Sequence, residues 1–205
     1  MTSCLGLKKD SSLAFVFQAS HLFYYFAAMI IQEKVKLLLR DVPDFPKAGI
    51  LFKDITPLLA EPVVRKEAVE AMVEQILPLK PDAIAAVEAR GFIFGMLIAE
   101  HLNIPFVPVR KSGKLPYKKV EQSYALEYGD AKIEMHEDGF KVGARIIIHD
   151  DLLATGGTAA AAGQLVRRLG GVVAGYSFLI NLSFLPGEKR LYEEFSVKPQ
   201  YLVSF

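Results

Sequence analysis

The sequence predicts an α/β protein in which a mainly parallel sheet carries helices on both faces, with a small antiparallel hairpin and a flexible loop. Short apolar runs typical of buried strands alternate along the chain with segments of helical periodicity, which indicates a parallel sheet covered on both sides. Hydrophobic residues make up 52% of the 205 residues and charged residues 23%, as in a packed globular protein. We therefore predict a single domain over residues 29–205, preceded by an apolar extension at residues 1–28.

Charge and cysteine content exclude several classes of protein. The formal net charge is +1, which argues against a general nucleic-acid binder or a protein held on a membrane surface. The single cysteine, Cys4, cannot form an intrachain disulfide, which fits the reducing cytoplasm. The four histidines lie far apart without a partner at ligand spacing, so no structural zinc site is expected. The sequence thus predicts a cytoplasmic protein without nucleic-acid or membrane partners.

The first 28 residues differ from the rest of the chain. Two lysines precede an apolar stretch that superficially resembles a signal peptide or a membrane anchor. Gln18, Ser20 and His21 interrupt this stretch, and it is short for a membrane span. We interpret residues 1–28 as an extension ahead of a natural start at Met29, packed as a helix or on a partner. A signal peptide and a membrane anchor are the open alternatives.

The first elements of the domain are predicted from helical spacing and its interruptions. Four apolar residues fall on one helical face and predict a helix: Ile31, Val35, Leu38 and Val42. The segment "PDFPKAG" at residues 43–49 then ends this helix. Helical spacing returns over residues 63–77, and Pro78 and Pro81 end it.

The central part of the chain alternates strand and helix. "DAIAAVEA" at residues 82–89 predicts a buried strand, and "RGFIFGMLIAEHL" at residues 90–102 predicts a helix. "IPFVPVR" at residues 104–110 predicts the next strand. Residues 111–125 are polar and contain glycine and proline, which predicts a mobile loop.

The last predicted elements are a hairpin and a strand–helix–strand unit. "SYALEYG" at residues 123–129 and "AKIEMH" at residues 131–136 predict two paired strands around a Gly-Asp turn. "ARIIIHD" at residues 144–150 predicts a strand, and "TAAAAGQLVRRLGG" at residues 158–171 a helix ended by glycine. "VVAGYSFLINL" at residues 172–182 predicts another strand.

Two adjacent carboxylates and a glycine-threonine turn form the strongest candidate site. Asp150 and Asp151 are predicted at the carboxyl end of a strand, where ligands bind in parallel sheets. The turn "ATGGT" at residues 154–158 leads into a helix whose free N–H groups and dipole favour an anion. The carboxylates suit diol hydroxyls or a hydrated magnesium ion. A phosphate site beside a diol site describes a ribose 5-phosphate; the alternative is that Thr155 is an ordinary N-cap and the aspartates a solvated strand end.

The stretch "DDLLATGGT" resembles the phosphoribosyl-pyrophosphate signature of the type I phosphoribosyltransferases. Four further blocks occur in the order found in the adenine-specific members of that family: "FPKAGILFKDITPLL", "EARGFIFG", "VRKSGKLPY" and "YALEYG". The resemblance covers nearly the whole chain from Val42 onward. Two features depart from it without touching a motif residue: His149, where the family more often has an aliphatic residue, and the extension at residues 1–28.

The resemblance implies the type I phosphoribosyltransferase fold and a reaction. Adenine and phosphoribosyl pyrophosphate would give AMP and pyrophosphate, with Mg²⁺ held mainly by substrate and water. Asp150 and Asp151 would bind the ribose hydroxyls and stabilise the positive charge that develops as the anomeric carbon loses pyrophosphate. The 5-phosphate would lie on five consecutive residues of the turn: Ala154, Thr155, Gly156, Gly157 and Thr158.

For the leaving pyrophosphate the resemblance implies a group of cations: Arg90, Arg110, Lys111 and Lys114. Arginine binds phosphate oxygens in a bidentate way, whereas lysine acts as a point charge. We interpret Lys118 and Lys119 as solvated surface charges. The resemblance also implies a non-proline cis peptide bond between Glu88 and Ala89, just before Arg90.

For the base, the resemblance implies that the backbone C=O and N–H of Leu51 pair with the donor and acceptor of adenine. Phe52 would pack on the base, with a plain core role as the alternative, and Lys53 would approach the sugar-phosphate end. Glu127 would be the general acid/base on a loop that closes over the substrates, and Tyr128 would lie beside the base and raise the pKa of Glu127 by excluding water. The alternative for Glu127 is an ordinary exposed strand residue.

The resemblance finally implies a homodimer in which the "RKSGK" segment of one subunit lies near the site of the other. Two other functions are open at this point. A non-catalytic regulator on the same fold would carry a basic face or an added DNA-binding unit, which the neutral charge and the single predicted domain argue against. An enzyme acting on hypoxanthine, guanine, xanthine or orotate would differ in the block "FPKAGILFKDI", which resembles the adenine-specific members.

Overall fold

The computed structural model describes residues 29–126 and 129–205. In these residues the helices are α1 (Ile31–Leu37), α2 (Thr56–Leu59), α3 (Pro62–Ile76), α4 (Gly91–Leu102), α5 (Gly157–Arg168) and α6 (Gly187–Phe195), with a 3₁₀ turn at Leu77–Leu79. The strands are β1 (Arg40–Pro43), β2 (Leu51–Asp54), β3 (Ala83–Val87), β4 (Phe106–Lys111), β5 (Lys119–Leu126), β6 (Gly129–His136), β7 (Arg145–Leu153), β8 (Val172–Asn181) and β9 (Gln200–Ser204).

Seven of these strands form one sheet in the order β5–β6–β4–β3–β7–β8–β9. The pairings of β3 with β4 and β7, and of β8 with β7 and β9, are parallel. β6 pairs antiparallel with both β4 and β5, and β1 and β2 form a separate two-stranded antiparallel sheet. The predicted fold class, a mainly parallel sheet with helices and a small antiparallel hairpin, is confirmed.

The sheet separates two apolar layers, because alternate residues of its central strands point to opposite faces. In β3, Ala85 joins a cluster formed with α5 and α6, whereas Ile84 joins a cluster formed with α1, α3 and α4. In β7, Ile148 and Ile147 divide in the same way. Strands buried on both faces are continuous apolar runs in sequence, which is why β3 and β7 could be predicted.

The start of the described chain differs from the prediction in one respect. Val42 was expected on the helical face that begins at Ile31, but α1 ends at Leu37 and Val42 lies in β1 opposite Phe52. Val42 is β-branched and therefore suits a strand as well as a helix. Pairing with the antiparallel strand β2 places it in a strand. The predicted helices over residues 63–77 and 90–102 are confirmed as α3 and α4.

The hairpin is longer than predicted. β5 begins at Lys119, so the prediction of a mobile loop is wrong for the second half of residues 111–125. β5 lies at the edge of the sheet and carries many polar residues, so it lacks the apolar alternation of a typical strand. The expected Gly-Asp turn is also wrong, because Gly129 already pairs with Leu126 as part of β6.

Two elements near the end of the chain, α6 and β9, were not predicted, although α6 supports the candidate site.

None of the helices in residues 29–126 and 129–205 combines the length and the apolar character that crossing a membrane requires. The extension at residues 1–28 lies outside the described residues, so the proposed domain boundary stays a prediction.

Candidate active site

Most of the predicted site residues that the structure describes lie at the carboxyl ends of three adjacent parallel strands. β4, β3 and β7 are neighbours in the sheet, and the segments at their ends contain residues 110–114, Arg90 and residues 154–158, respectively. The hairpin of β1 and β2 reaches the same edge, since Arg90 contacts Phe52. Ligands of open α/β sheets bind at this edge, in the crevice where the connections after two neighbouring strands run in opposite directions.

The turn between β7 and α5 forms a small pocket of about 80 Å³, lined by Asp150, residues 152–159 and Phe178. Gly156 is the N-cap of α5, and no side chain caps this helix. The interpretation of Thr155 as an ordinary N-cap is therefore wrong. Because the first N–H groups of α5 have no side-chain cap, they and the helix dipole suit an anion in this pocket.

Gly156 meets both a conformational and a steric requirement. Its φ is +76°, and a Cβ atom at this position would lie 3.1 Å from the Cα and the carbonyl oxygen of Gly187. Backbone atoms cannot yield as a side chain can, so only glycine fits without a shift of the turn. Since Gly187 is the first residue of α6, this unpredicted helix packs directly against the turn at residues 154–158.

The two aspartates are more buried than predicted. β7 continues to Leu153, so Asp150 and Asp151 lie within the strand, and only 4% of Asp151 is exposed. The alternative of a solvated strand end is therefore wrong for Asp151. Burial raises the pKa of Asp150 well above its usual value, and the adjacent charge of Asp151 raises it further. Burial also raises the pKa of Asp151, although the Arg90 guanidinium opposes this effect.

Arg90 links the aspartates to the β1–β2 hairpin. Its Nε lies 3.0 Å from Oδ2 of Asp151, and its guanidinium carbon lies 4.6 Å from the centre of the Phe52 ring. The expected cis peptide between Glu88 and Ala89 precedes it. Arg90 therefore joins a carboxylate and an aromatic face, an arrangement that suits the flat guanidinium group.

The β2 segment presents a backbone and an aromatic ring at the site. The Leu51 side chain is half exposed, and the residue opposite it in β1 is Pro43, which has no N–H to donate. Phe52 is half-buried, packs edge-to-face on Phe45 at 5.1 Å and belongs to neither core cluster. The Lys53 ammonium lies 2.6 Å from Oδ1 of Asp41. Its predicted approach to the sugar phosphate stays a prediction.

The cation-bearing segments after β3 and β4 are joined through Glu88. Nε of Arg110 lies 2.6 Å from Oε2 of Glu88, and its Nη1 donates to the carbonyl oxygen of Lys114 at 3.2 Å. Lys111 and Lys114 are exposed at the end of β4. Because Glu88 is two residues before Arg90, one carboxylate ties the two arginine-bearing segments together.

Sequence reasoning missed one acidic residue near these cations. Glu134 of β6 is fully buried and accepts hydrogen bonds from the backbone N–H groups of Gly113, Lys114 and Leu115. The Lys119 ammonium lies 2.7 Å from Oε2 of Glu134, so the interpretation of Lys119 as a solvated surface charge is wrong. Successive side chains of a strand point to opposite faces, so the buried Ile133 predicts that Glu134 faces solvent. No sequence signal indicated that Glu134 is buried.

His149, the departure within the signature, is fully buried inside the sheet. Its Nδ1 lies 3.4 Å from Oγ of Ser177 on β8. Burial lowers the pKa of His149 to about 3, and a hydrogen bond with Ser177 acts in the opposite direction. The imidazole is therefore neutral near pH 7 and acts as a packing residue between β7 and β8.

Glu127 and Tyr128 lie outside the described residues. Their neighbours in the chain are the last residue of β5, Leu126, and the first residue of β6, Gly129. The predicted acid/base role of Glu127 and the predicted base contact of Tyr128 therefore stay predictions.

The fold, the anion pocket and the paired carboxylates together define a phosphoribosyltransferase, and residues 59–183 match the phosphoribosyl transferase domain. The adenine phosphoribosyltransferase of Cytophaga hutchinsonii is 51% identical over 162 residues, which cover 79% of this chain and 90% of the relative. That of Nitrosococcus oceani is 50% identical over 159 residues, which cover 78% of this chain and 93% of the relative. This chain belongs to the adenine phosphoribosyltransferase family.

Solved structures give the same result. The crystal structure of adenine phosphoribosyltransferase from Thermoanaerobacter pseudethanolicus matches with a TM-score of 0.82 at 45% identity, covering 85% of this chain and 99% of that one. The Saccharomyces cerevisiae enzyme, crystallised with adenine and an imino-altritol bisphosphate, matches with a TM-score of 0.77 at 38% identity, covering 84% and 98%. The Trypanosoma brucei enzyme, crystallised with AMP, pyrophosphate and ribose-5-phosphate, matches with a TM-score of 0.78 at 26% identity, covering 86% and 80%.

Proposed function

We propose that this protein is an adenine phosphoribosyltransferase of purine salvage, a pentosyltransferase that joins adenine to the phosphoribosyl group of phosphoribosyl pyrophosphate and forms AMP and pyrophosphate. The observation that carries the proposal is a chain of contacts. The pocket at the start of α5 includes Asp150, Asp151 pairs with Arg90, and Arg90 packs on Phe52. The proposed phosphate, diol and base sites would thus follow one another in the order of the groups in AMP.

The sugar phosphate would bind at the turn after β7. Its 5-phosphate would occupy the pocket of residues 154–158, where N–H groups at the start of α5 and the hydroxyls of Thr155 and Thr158 donate to it. Asp150 and Asp151 would accept hydrogen bonds from the ribose hydroxyls. As the bond between the anomeric carbon and the pyrophosphate oxygen breaks, positive charge develops on the ring, and the two carboxylates would stabilise it.

The leaving pyrophosphate would bind to the four cations Arg90, Arg110, Lys111 and Lys114. Support comes from the ion pair of Arg110 with Glu88, which places the end of β4 beside the segment that precedes Arg90. Two arginines supply the bidentate contacts that phosphate oxygens favour, and two exposed lysines add positive charge. These groups would bind the pyrophosphate more strongly as its negative charge grows during bond cleavage.

We also propose that Mg²⁺ takes part, bound mainly by the donor and by water. Within residues 29–126 and 129–205 no group of three or more His, Cys, Asp or Glu side chains is arranged to hold a metal ion. Asp150 and Asp151 fit a hydrated ion that reaches them through water or through the ribose hydroxyls. When bound, Mg²⁺ would neutralise part of the pyrophosphate charge.

Adenine would be recognised mainly by backbone. Leu51 would offer its C=O to the amino group of the base and its N–H to the adjacent ring nitrogen, and Phe52 would pack on the ring. Hypoxanthine reverses this donor and acceptor order, so it would leave buried groups unpaired. Tyr128 would lie beside the base, Glu127 would exchange a proton with its imidazole ring, and Lys53 would complete the site toward the sugar.

We further propose a cytoplasmic homodimer without nucleic-acid or membrane partners. The net charge of +1 argues against nucleic-acid and membrane partners, and the single cysteine fits the reducing cytoplasm. Support for the dimer comes from an exposed apolar face on α4 formed by Ile93, Met96 and Leu97. Sedimentation equilibrium tests the assembly, because a dimer has twice the chain mass of 22.7 kDa.

One assay tests the reaction. The purified protein is mixed with phosphoribosyl pyrophosphate, Mg²⁺ and one purine at a time, and the nucleotide is separated and quantified. Adenine should give AMP, and hypoxanthine and guanine should react with kcat/KM values lower by about 10⁴ or more, as expected where a hydrogen-bonding site meets the wrong partner. Equal turnover of hypoxanthine would contradict the assignment of the base.

A further inference from the structure

Glu134 is a buried carboxylate to which the proposed reaction assigns no role. None of its surface is exposed, although it lies in β6 next to the cations at the end of β4. Its Oε2 accepts from the N–H of Gly113 at 2.9 Å, and its Oε1 accepts from the N–H groups of Lys114 at 2.8 Å and Leu115 at 2.5 Å. The ammonium of Lys119 lies 2.7 Å from Oε2.

These four contacts keep Glu134 ionised. Burial alone would favour the neutral acid, but the donation from Lys119 and the three N–H groups outweigh it and lower the pKa of Glu134 to about 2. Charge-assisted hydrogen bonds of this kind are roughly twice as strong as neutral ones. The carboxylate thus acts as a fixed anion around which the chain at residues 113–115 is folded.

The contacts of Glu134 all converge on one segment. Every hydrogen bond of its side chain within the described part of the protein goes to residues 113–119. Lys119 also donates to the carbonyl oxygen of Leu115 at 3.2 Å, and Arg110 donates to that of Lys114. Backbone groups on both sides of Lys114 are therefore held, although Gly113 and Lys114 are exposed.

We propose that Glu134 is a positioning residue for phosphoribosyl pyrophosphate. It fixes the backbone of residues 113–115, and this backbone places Arg110, Lys111 and Lys114 for the pyrophosphate group. The inference rests on the proposed function and adds to it a residue that touches no substrate. Through Lys119, the first residue of β5, the same carboxylate also anchors the base of the β5–β6 hairpin.

Glu134→Gln is the main test. Glutamine keeps the size of the side chain but has one acceptor oxygen, and its amide group would face donors, so at least the contacts to Gly113 and Lys119 are lost. The KM for phosphoribosyl pyrophosphate should rise by about tenfold or more, the usual effect of losing a hydrogen bond to a charged group. The KM for adenine should stay within about twofold, because the base site is built from β2.

Glu137→Gln is the matched control. It makes the same chemical change three residues further along the chain, on an exposed side chain, and both KM values should equal those of the wild type. A donor KM of Glu134→Gln within about twofold of the control would overturn the proposal. So would a parallel rise of both KM values, since that pattern indicates a general loss of structure rather than mispositioned cations.

Hydrogen exchange of the wild-type protein tests the proposal without requiring that the variant folds. The N–H groups of Gly113, Lys114 and Leu115 should exchange at least about a hundredfold more slowly than an unstructured chain, because each is bonded to a buried anion. Fast exchange at these three positions would also overturn the proposal. If neither the wild type nor Glu137→Gln converts adenine, the proposed function fails, and calorimetric binding of pyrophosphate to Glu134→Gln and to the control then decides the positioning role.

Discussion

At the scale of single residues, burial makes the charge on Asp150 costly for the stability of the fold. Its folded-state pKa is raised above the ordinary value of 3.8, first by burial and then by Asp151. The stability linked to this group is therefore fully present below pH 3.8 and is lost as the pH rises through the raised pKa. Such a cost is common where a site must hold a charge for its ligand.

The variant Asp150→Asn tests this account, because asparagine resembles the neutral acid. We expect the unliganded variant to melt at the same temperature as the wild type or higher at pH 7 to 8, while kcat falls by about 10²–10³, the usual loss of one preorganised electrostatic group. Melting curves and initial rates over a pH series measure both. Asp138→Asn, a change at an exposed position, is the control. A lower melting temperature with unchanged kcat would show that Asp150 is a structural residue.

The role predicted for Glu127 depends on a proton that the reaction must move. Adenine attacks through N9, so a base must take or hold a proton of the imidazole ring as the new bond forms. Glu127→Gln keeps the shape of the side chain and removes the base, and turnover should fall by roughly 10²–10⁴-fold. Donor affinity should change little, because the phosphate and diol contacts lie elsewhere. Wild-type turnover across the pH range combined with lost donor binding would instead make Glu127 a clamp residue.

At the scale of elements, the turn between β7 and α5 depends on the conformation of Gly156. Gly156→Ala places a side chain at φ +76° and 3.1 Å from the backbone of Gly187. The conformational strain alone costs roughly 1–2 kcal/mol, and the crowding moves the turn. We therefore expect a higher donor KM together with lower stability, measured by kinetics and by denaturant unfolding.

Gly143→Ala is the matched control for this prediction. Gly143 has a φ of +83°, but nothing lies within 4 Å of a Cβ added there, and it is distant from the site residues in the fold because it precedes β7. It should lose similar stability without any change in donor KM. Equal donor KM values in the two variants would show that the turn tolerates crowding and does not bind the phosphate.

The elements that could be predicted from sequence are those whose environment is symmetric or repetitive. β3, β7 and β8 are buried on both faces and are continuous apolar runs, and α3 and α4 show helical spacing. The edge strands β5 and β9 face solvent on one side and show no such pattern. The start of β5 was missed for this reason, and with it the pairing of Lys119 with Glu134.

The candidate site divides along the same line. The turn at residues 154–158 and the adjacent aspartates are contiguous in sequence, so their association could be predicted from one motif. The contacts of Arg90 with Asp151 and Phe52 join three distant parts of the chain. Burial of Asp151 depends on the extra length of β7, and no local pattern contains that information.

At the scale of the whole molecule, the position of the site follows from the order of the strands. Within the sheet, β3 has β4 as its neighbour on one side and β7 as its neighbour on the other. The segments after β3, β4 and β7 therefore diverge around a crevice at the carboxyl edge, the position at which open α/β sheets bind ligands. Three of the cations proposed for pyrophosphate, Arg110, Lys111 and Lys114, lie at or after the end of β4, and the turn proposed for the sugar phosphate follows β7. The bond to be broken would therefore lie above β3, next to Arg90.

The last prediction concerns the extension at residues 1–28. The solved Thermoanaerobacter pseudethanolicus enzyme is covered over 99% of its length by 85% of this chain, so the rest of this chain has no counterpart there. A protein truncated to begin at Met29 should therefore fold, assemble as a dimer and convert adenine with the kcat and KM of the full chain. Circular dichroism, sedimentation and initial rates measure these properties on both proteins. Aggregation of the truncated protein, or a lower kcat at equal stability, would show that residues 1–28 take part in the working enzyme.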